Sequence, residues 1–243
     1  MAGTVVNLLR FDSQDACVQG VVTFWRDRLS TNPEQKMCLP TGTTPAPVYA
    51  EMVRSVRAGL TSFARAHLFA LDEFGGLAKD DDGLARNALA RMLLDPIGLP
   101  RDTLYSPDVW TPDLDSVCRE YEERIGGGFD LVILGVGLNG HLGMNEPGSA
   151  ADSPTRRVEL HPTTIQSSAR YFNHGNLPRW GVTVGLRPIL ASKEVWVLAT
   201  GSSKATVIRD TIHGEVGVNI PASLLRRHPN CSFFVDADAG ALL

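Results

Sequence analysis

The chain has 243 residues, a net charge of −4, 43% hydrophobic and 21% charged residues, the composition of a globular protein with one sizeable core. That charge leaves no basic footprint, which excludes general nucleic-acid binding, and no apolar run approaches the roughly 20 residues of a membrane span. Cys17, Cys38, Cys118 and Cys231 form no CxxC pair, and three of them lie in stretches that read as apolar strands or helices, where a buried, reduced thiol is expected. With no leader-type segment ahead of the first strand-like run, the expected location is cytoplasmic.

The chain begins with a β-rich run over 4–9, followed by a segment of helical period over 15–29. A strand is expected over 36–40, a helix over 45–58, a strand over 66–71 and a helix over 83–93. A further helix over 113–124 precedes the most apolar strand, 130–136, in which Leu131-Val132-Ile133-Leu134 has no polar face. Then come a short strand over 156–160, strands over 181–186 and 194–200, a helix over 203–213, a short helix over 221–228 and a strand over 232–235. Near-continuous apolar strands separated by helices predict a doubly wound α/β fold, with a mostly parallel, Rossmann-like sheet covered on both faces. One domain spans 1–243, and the segment 153–179, rich in Pro, Ser and Asn, is expected to form a lid.

Ligands of such a sheet bind beyond the carboxyl ends of its strands, so the residues that follow each strand carry the functional information. After the second strand, Pro40-Thr41-Gly42-Thr43-Thr44-Pro45 offers hydroxyls, a permissive glycine and a helix start. It suits a phosphate cradle, although an ordinary strand–helix connection accounts for it equally well. It lacks the Lys-Ser/Thr of a Walker A loop. After the third strand, Asp72-Glu73 places two acids where one could transfer a proton and the other orient it, or where both are simply solvated.

The segment 135–148 is the most informative. Its Gly-x-Gly-x-x-Gly (Gly135, Gly137, Gly140) does not open a helix, which argues against a dinucleotide site. Instead it leads to His141, with Asn139, Asn145 and Glu146 close by, a grouping suited to acid–base work. Lys204, at a helix start where the dipole disfavours a cation, points to an anion nearby. Arg170 is a second candidate cation. The histidines show no metal-ligand spacing.

Residues 39–45 (Leu-Pro-Thr-Gly-Thr-Thr-Pro), 71–74 (Leu-Asp-Glu-Phe) and 137–148 (Gly-Leu-Asn-Gly-His-Leu-Gly-Met-Asn-Glu-Pro-Gly) occur in this order. With 181–186, 200–204 and 220–223 they resemble the glucosamine-6-phosphate deaminase family, which is related to the 6-phosphogluconolactonases. The resemblance implies a phosphate held by Thr41, Gly42, Thr43 and Thr44, with Arg170 and Lys204 as charged donors, and a substrate pocket that also takes in Glu73, Gly137 and Gly140. It implies that His141, oriented by Glu146 and Asn139, moves the proton that opens the pyranose ring. Asp72 would carry the C2 proton to C1, and hydrolysis of the resulting imine would release ammonia and fructose 6-phosphate. Neither a metal nor an organic cofactor is implied. The partner is a small phosphorylated amino sugar, with no nucleic acid or membrane involved, and both a monomer and a homo-oligomer remain open.

Three departures bear on this reading. Asn139 stands where many members have Asp, and Leu84-Ala85 where a Ser-Tyr pair is usual. Val158 replaces the lysine that accompanies Arg156 in activator-binding deaminases, which predicts no activation by N-acetylglucosamine 6-phosphate. Deamination of galactosamine 6-phosphate, lactone hydrolysis and a non-catalytic sugar-phosphate sensor are the competing readings.

Overall fold

The computed structural model describes residues 6–172 and 177–243. The first two positions of the strand expected over 4–9, and residues 173–176 of the expected lid, lie outside the described residues.

In chain order, β1 (Asn7–Phe11) leads into α1 (Gln14–Thr31), whose N-cap Ser13 accepts from the amide of Ala16. β2 (Lys36–Leu39), α2 (Ala46–Arg57), β3 (His67–Ala70) and β4 (Asp72–Phe74) follow, then α3 (Ala85–Leu89). A π-helical turn over Ala90–Leu94 joins α3 to the short α4 (Asp95–Ile97), and the widened turn precedes Pro96, which has no amide to donate. Next come β5 (Leu104–Tyr105), α5 (Leu114–Ile125), β6 (Leu131–Gly135), β7 (Arg156–Glu159), α6 (Pro162–Ser168) and β8 (Trp180–Thr183). The chain closes with α7 (Leu186–Leu190), β9 (Val195–Ala199), α8 (Ala205–His213) and β10 (Cys231–Asp236).

A 7-stranded sheet has the order β1-β10-β9-β6-β2-β3-β5, and every pair in it is parallel. Strand alternation sorts its side chains into two apolar layers. Cys38, Phe69, Val132, Leu134, Val197 and Phe233 face one layer, with Ile125 of α5 and Ile208 of α8. Met37, Leu68, Leu131, Ile133, Trp196 and Phe234 face the other, with Trp25 of α1 and Met52 of α2. The expected doubly wound architecture is present. From β2 the chain proceeds outward through β3 to β5, then returns to the opposite side of β2 as β6. The carboxyl ends of β2 and β6 therefore flank the switch point where such folds bind ligands.

The sequence reading did not anticipate β5 or α6, and it differs in detail from the structure elsewhere. Residues 181–186 form no strand of the parallel sheet: β8 lies in a separate antiparallel sheet, order β4-β8-β7, and α7 begins at Leu186. Asp72-Glu73-Phe74, expected as a loop, is the strand β4, pairing Asp72↔Thr183 and Phe74↔Gly181. The stretch 221–228 is a 3-10 helix over Pro221–Arg227. The first strand lies further along than 4–9, because Phe11 still pairs with Asp236. A period-2 apolar run shows that a strand exists but not which sheet it joins. All four cysteines are free and buried. Among the described residues, no helix is long and apolar enough to cross a membrane.

Candidate active site

A cavity of about 760 Å³ opens at the switch point. Its floor and walls come from the loop after β2 (Thr41, Gly42, Thr43, Thr44), Asp72 of β4, and the loop after β6 (Gly137, Asn139, His141). Lys204 follows β9, and Thr163, Thr164, Ser167, Ser168, Arg170 and Tyr171 come from α6 and the turn after it. Of the candidate site residues singled out in the sequence, Glu73, Gly140, Asn145 and Glu146 do not line this cavity.

The threonine loop is tied down from below, where the Tyr49 hydroxyl donates to the Pro40 carbonyl at 2.7 Å. Gly42 has φ +114°, a backbone conformation that residues with a Cβ rarely adopt, so the turn favours glycine. Lys204 donates to the Val136 carbonyl, beyond the end of the neighbouring strand β6, at 2.7 Å. Burial, and secondarily the Arg170 guanidinium, hold its ammonium below the usual lysine range. Two cations beside the threonine hydroxyls, with no carboxylate paired to Lys204 among the described residues, make a site that gains stability from a bound anion.

His141 is held in place by the glycine loop. A Cβ on Gly137 would fall 2.2 Å from its ring, so the imidazole packs directly on the backbone at that position. The loop closes on itself through Gly137 N–H to the His141 carbonyl at 3.0 Å. Gly140 serves that closure and lies against Ile220, while its carbonyl accepts from Ala222 at 2.9 Å. It anchors the loop to the 3-10 segment instead of meeting a ligand.

The ring's proton arrangement follows from its partners. Asn139 Nδ2 donates to Glu146 Oε2 at 2.9 Å, so Asn139 Oδ1 must face His141, 2.7 Å from Nδ1. An acceptor there requires the proton on Nδ1, which leaves Nε2 with its lone pair free. Glu146 also accepts the Thr164 hydroxyl and lies 3.5 Å from His141 Nδ1. Burial raises its pKa, but the neighbouring His141 ring and the hydrogen bonds from Thr164 and Asn139 outweigh burial and bring it down to about 2. Asn145, with Glu146 in the same motif, is fully buried and structural. It donates to the Leu142 and Val184 carbonyls and accepts from Arg156.

The adjacent acids have opposite surroundings because strand neighbours point to opposite faces. Asp72 faces the cavity, and burial, with a lesser contribution from the Glu73 charge, pushes its pKa up to about 7. Glu73 is wholly buried. It accepts from the amides of Phe74, Ala85 and Arg86 at 2.9, 2.7 and 2.9 Å, and from the Ser106 hydroxyl at 3.3 Å. It therefore caps α3 and does not meet a ligand. The departure at Leu84-Ala85 falls here too: Leu84 is fully buried with Phe74, Met144 and Phe172, behind the cavity wall.

The residues missed in the sequence come mainly from α6. Thr163, Thr164, Ser167 and Ser168 recur at helical spacing, a signal that a segment read only as a lid does not reveal. Gln14, at the start of α1, also lines the cavity. Among the described residues, no group of three or more His, Cys, Asp or Glu is placed to hold a metal ion.

Comparisons with known proteins show the family and the fold. Residues 12–233 match the family described as glucosamine-6-phosphate isomerases/6-phosphogluconolactonase. A glucosamine-6-phosphate deaminase of Bacillus pumilus is 34% identical over 98% of this chain and 100% of its own length. That of Corynebacterium kroppenstedtii is 38% identical over 84% of this chain and 81% of its own. The solved structure of a monomeric glucosamine-6-phosphate deaminase superposes with a TM-score of 0.93 at 30% identity, covering 98% of this chain and 100% of that one. The 6-phosphogluconolactonase of Trypanosoma brucei, at 19% identity and a TM-score of 0.78 over 99% of each chain, shares the fold. With its anion cradle, oriented histidine and buried acid all set around one switch point, this chain belongs to the glucosamine-6-phosphate isomerase/6-phosphogluconolactonase family.

Proposed function

We propose that the protein deaminates glucosamine 6-phosphate, isomerising the amino aldose to fructose 6-phosphate with release of ammonia. The observation that carries this reading is the pairing, in one cavity, of a carboxyl group poised near neutrality (Asp72) with a histidine whose Nδ1 is occupied and whose Nε2 is free. Isomerisation needs both: one group to move a proton between adjacent carbons, another to exchange protons with the oxygens.

The phosphate sits against Thr41, Gly42, Thr43 and Thr44, with Arg170 and Lys204 neutralising its charge. His141 Nε2 takes the proton of the anomeric hydroxyl and delivers it to the ring oxygen, opening the pyranose to the aldehyde. Asp72, ionised, removes the C2 proton while O1 gains one that His141 Nε2 relays from the substrate's C2 ammonium, giving a neutral enolamine. Asp72 then returns its proton to C1, and the result is an iminium at C2. Water adds there, ammonia leaves, and C2 becomes the ketone. A pKa of about 7 lets Asp72 both accept and return the proton at neutral pH. Every group used lies on one chain, so a monomer suffices, and the expected setting is the cytoplasm.

The test is ammonia release by purified protein from glucosamine 6-phosphate, run beside galactosamine 6-phosphate with no added metal. Release from the gluco sugar establishes the reading, and release from the galacto sugar alone moves the specificity to the C4 epimer. No ammonia from either overturns it in favour of lactone hydrolysis or sugar-phosphate sensing.

A further inference from the structure

The motifs that identify the site do not include α6, yet this helix touches both ends of it. Thr164 gives its hydroxyl to Glu146 Oε1, and Glu146 Oε2 accepts from Asn139, which in turn orients His141. Six residues on, in the 3-10 turn Ala169–Tyr171 that continues α6 without a break, Arg170 enters the cavity beside Lys204. The segment therefore carries a phosphate-directed cation at one end and a hydrogen-bond donor to the proton relay at the other. Thr164 is buried, and the hydroxyls of Ser167 and Ser168 are turned back to the helix carbonyls of Thr164 and Ile165. Thr164 is thus the α6 side chain whose hydroxyl bonds to the relay.

We infer that Thr164 is a positioning residue that couples phosphate binding to the orientation of His141. Seating the phosphate on Arg170 fixes the helical segment, and the same segment presses the Thr164 hydroxyl onto Glu146. Glu146 held at both oxygens keeps Asn139 turned with Oδ1 toward His141, so the imidazole keeps its proton on Nδ1 and its free Nε2 faces the sugar. Without the hydroxyl, Glu146 Oε1 has no donor in that network. The carboxylate can then rotate, and the amide and ring lose their common orientation. Binding energy taken up at the phosphate, remote from the reacting carbons, is in this way converted into alignment at the proton-transfer end.

This inference rests on the deaminase reading for its kinetic half only. The variants are Thr164→Val, which keeps the β-branched shape and removes the hydroxyl, and Thr164→Ser, which keeps the hydroxyl. With glucosamine 6-phosphate, Thr164→Val is expected to lower kcat about tenfold, the effect of one hydrogen bond to a charged group, with KM within about twofold because Arg170 and Lys204 are untouched. Thr164→Ser is expected to restore most of the rate. Separately, 15N NMR of histidine-labelled protein, with the His141 signal identified by its loss in His141→Gln, reads the imidazole tautomer with and without saturating inorganic phosphate. Phosphate should shift His141 further toward the Nδ1–H form in the wild type and in Thr164→Ser, and leave it unmoved in Thr164→Val although phosphate still binds. A wild-type kcat in Thr164→Val, or a His141 that ignores phosphate in the wild type or follows it equally in Thr164→Val, overturns the coupling. If no variant releases ammonia, the functional reading has failed, and the tautomer measurement still decides the coupling.

Discussion

Holding Asp72 near neutrality has a cost in stability that can be measured. Its pKa rises from 3.8 to about 7 in the folded protein, and at 1.36 kcal/mol per unit this amounts to about 4 kcal/mol of disfavoured charge. Because Asp72 faces the cavity and water reaches it, about 2–4 kcal/mol is the expected range. The folded state binds the proton more tightly than the unfolded chain, so the cost is absent below pH 3.8, where both states are protonated. It grows as pH rises and is complete above pH 7, where both are ionised. Asp72→Asn removes the charge while keeping the shape. The variant should be more stable than wild type at pH 8, and its advantage should shrink by about 2 kcal/mol at pH 5.5. Urea unfolding at the two pH values measures this, while the same variant should lose at least about 100-fold in turnover and still bind phosphate. A variant no more stable at pH 8 than wild type, or one whose advantage does not change with pH, would refute the reasoning. Turnover that survives the change would remove Asp72 from the proton-transfer role.

Other outcomes follow from the same geometry. Replacing Lys204 with Met should raise KM for the sugar phosphate by about tenfold or more, since a charge-assisted donor is lost, with a smaller change in kcat. In the wild type, kcat/KM should rise with pH and level off above about 7, as Asp72 must be ionised to accept the C2 proton; a flat profile from pH 5.5 to 8 would exclude this base. Leu84→Ala should cost about 2–5 kcal/mol of stability because Leu84 is fully buried, and should leave KM nearly unchanged because it lies behind the cavity wall. The rate curve should be hyperbolic with and without N-acetylglucosamine 6-phosphate, because Val158 supplies no charge beside Arg156; sigmoidal kinetics abolished by that compound would contradict this.

The elements legible in the sequence were those whose signal is local. The apolar strand 131–135 and the helices opened by Ser13 and Asp113 depend on near-neighbour chemistry, and they lie within a few residues of where the pattern puts them. The antiparallel sheet was not legible. The segments containing β4, β7 and β8 are short apolar-flanked stretches like any others, and their partners lie far along the chain. The same blindness affected Asp72 and Glu73. As a pair in a loop they look equivalent, and only membership of a strand sends one to the cavity and the other under α3. Gly140 was read as a ligand-facing glycine for a related reason, since the close approach it permits is to Ile220, which no local pattern reveals.

Asn139 shows how a departure from a family pattern can be read from geometry. An aspartate at this position would place two carboxylates side by side, because its nearest polar neighbour besides His141 is Glu146 Oε2 at 2.9 Å. An amide avoids that repulsion, since it presents an acceptor to the ring and a donor to the acid at once. The relay from His141 to Glu146 then carries one negative charge, and that charge is satisfied from both sides, which is why Glu146 stays ionised far below neutrality. Orientation of the imidazole is kept, because the amide oxygen that accepts from Nδ1 belongs to the same group whose nitrogen is anchored on Glu146. Ring opening asks for that fixed orientation, because the proton taken from the anomeric hydroxyl must be given up again to the ring oxygen within the same step.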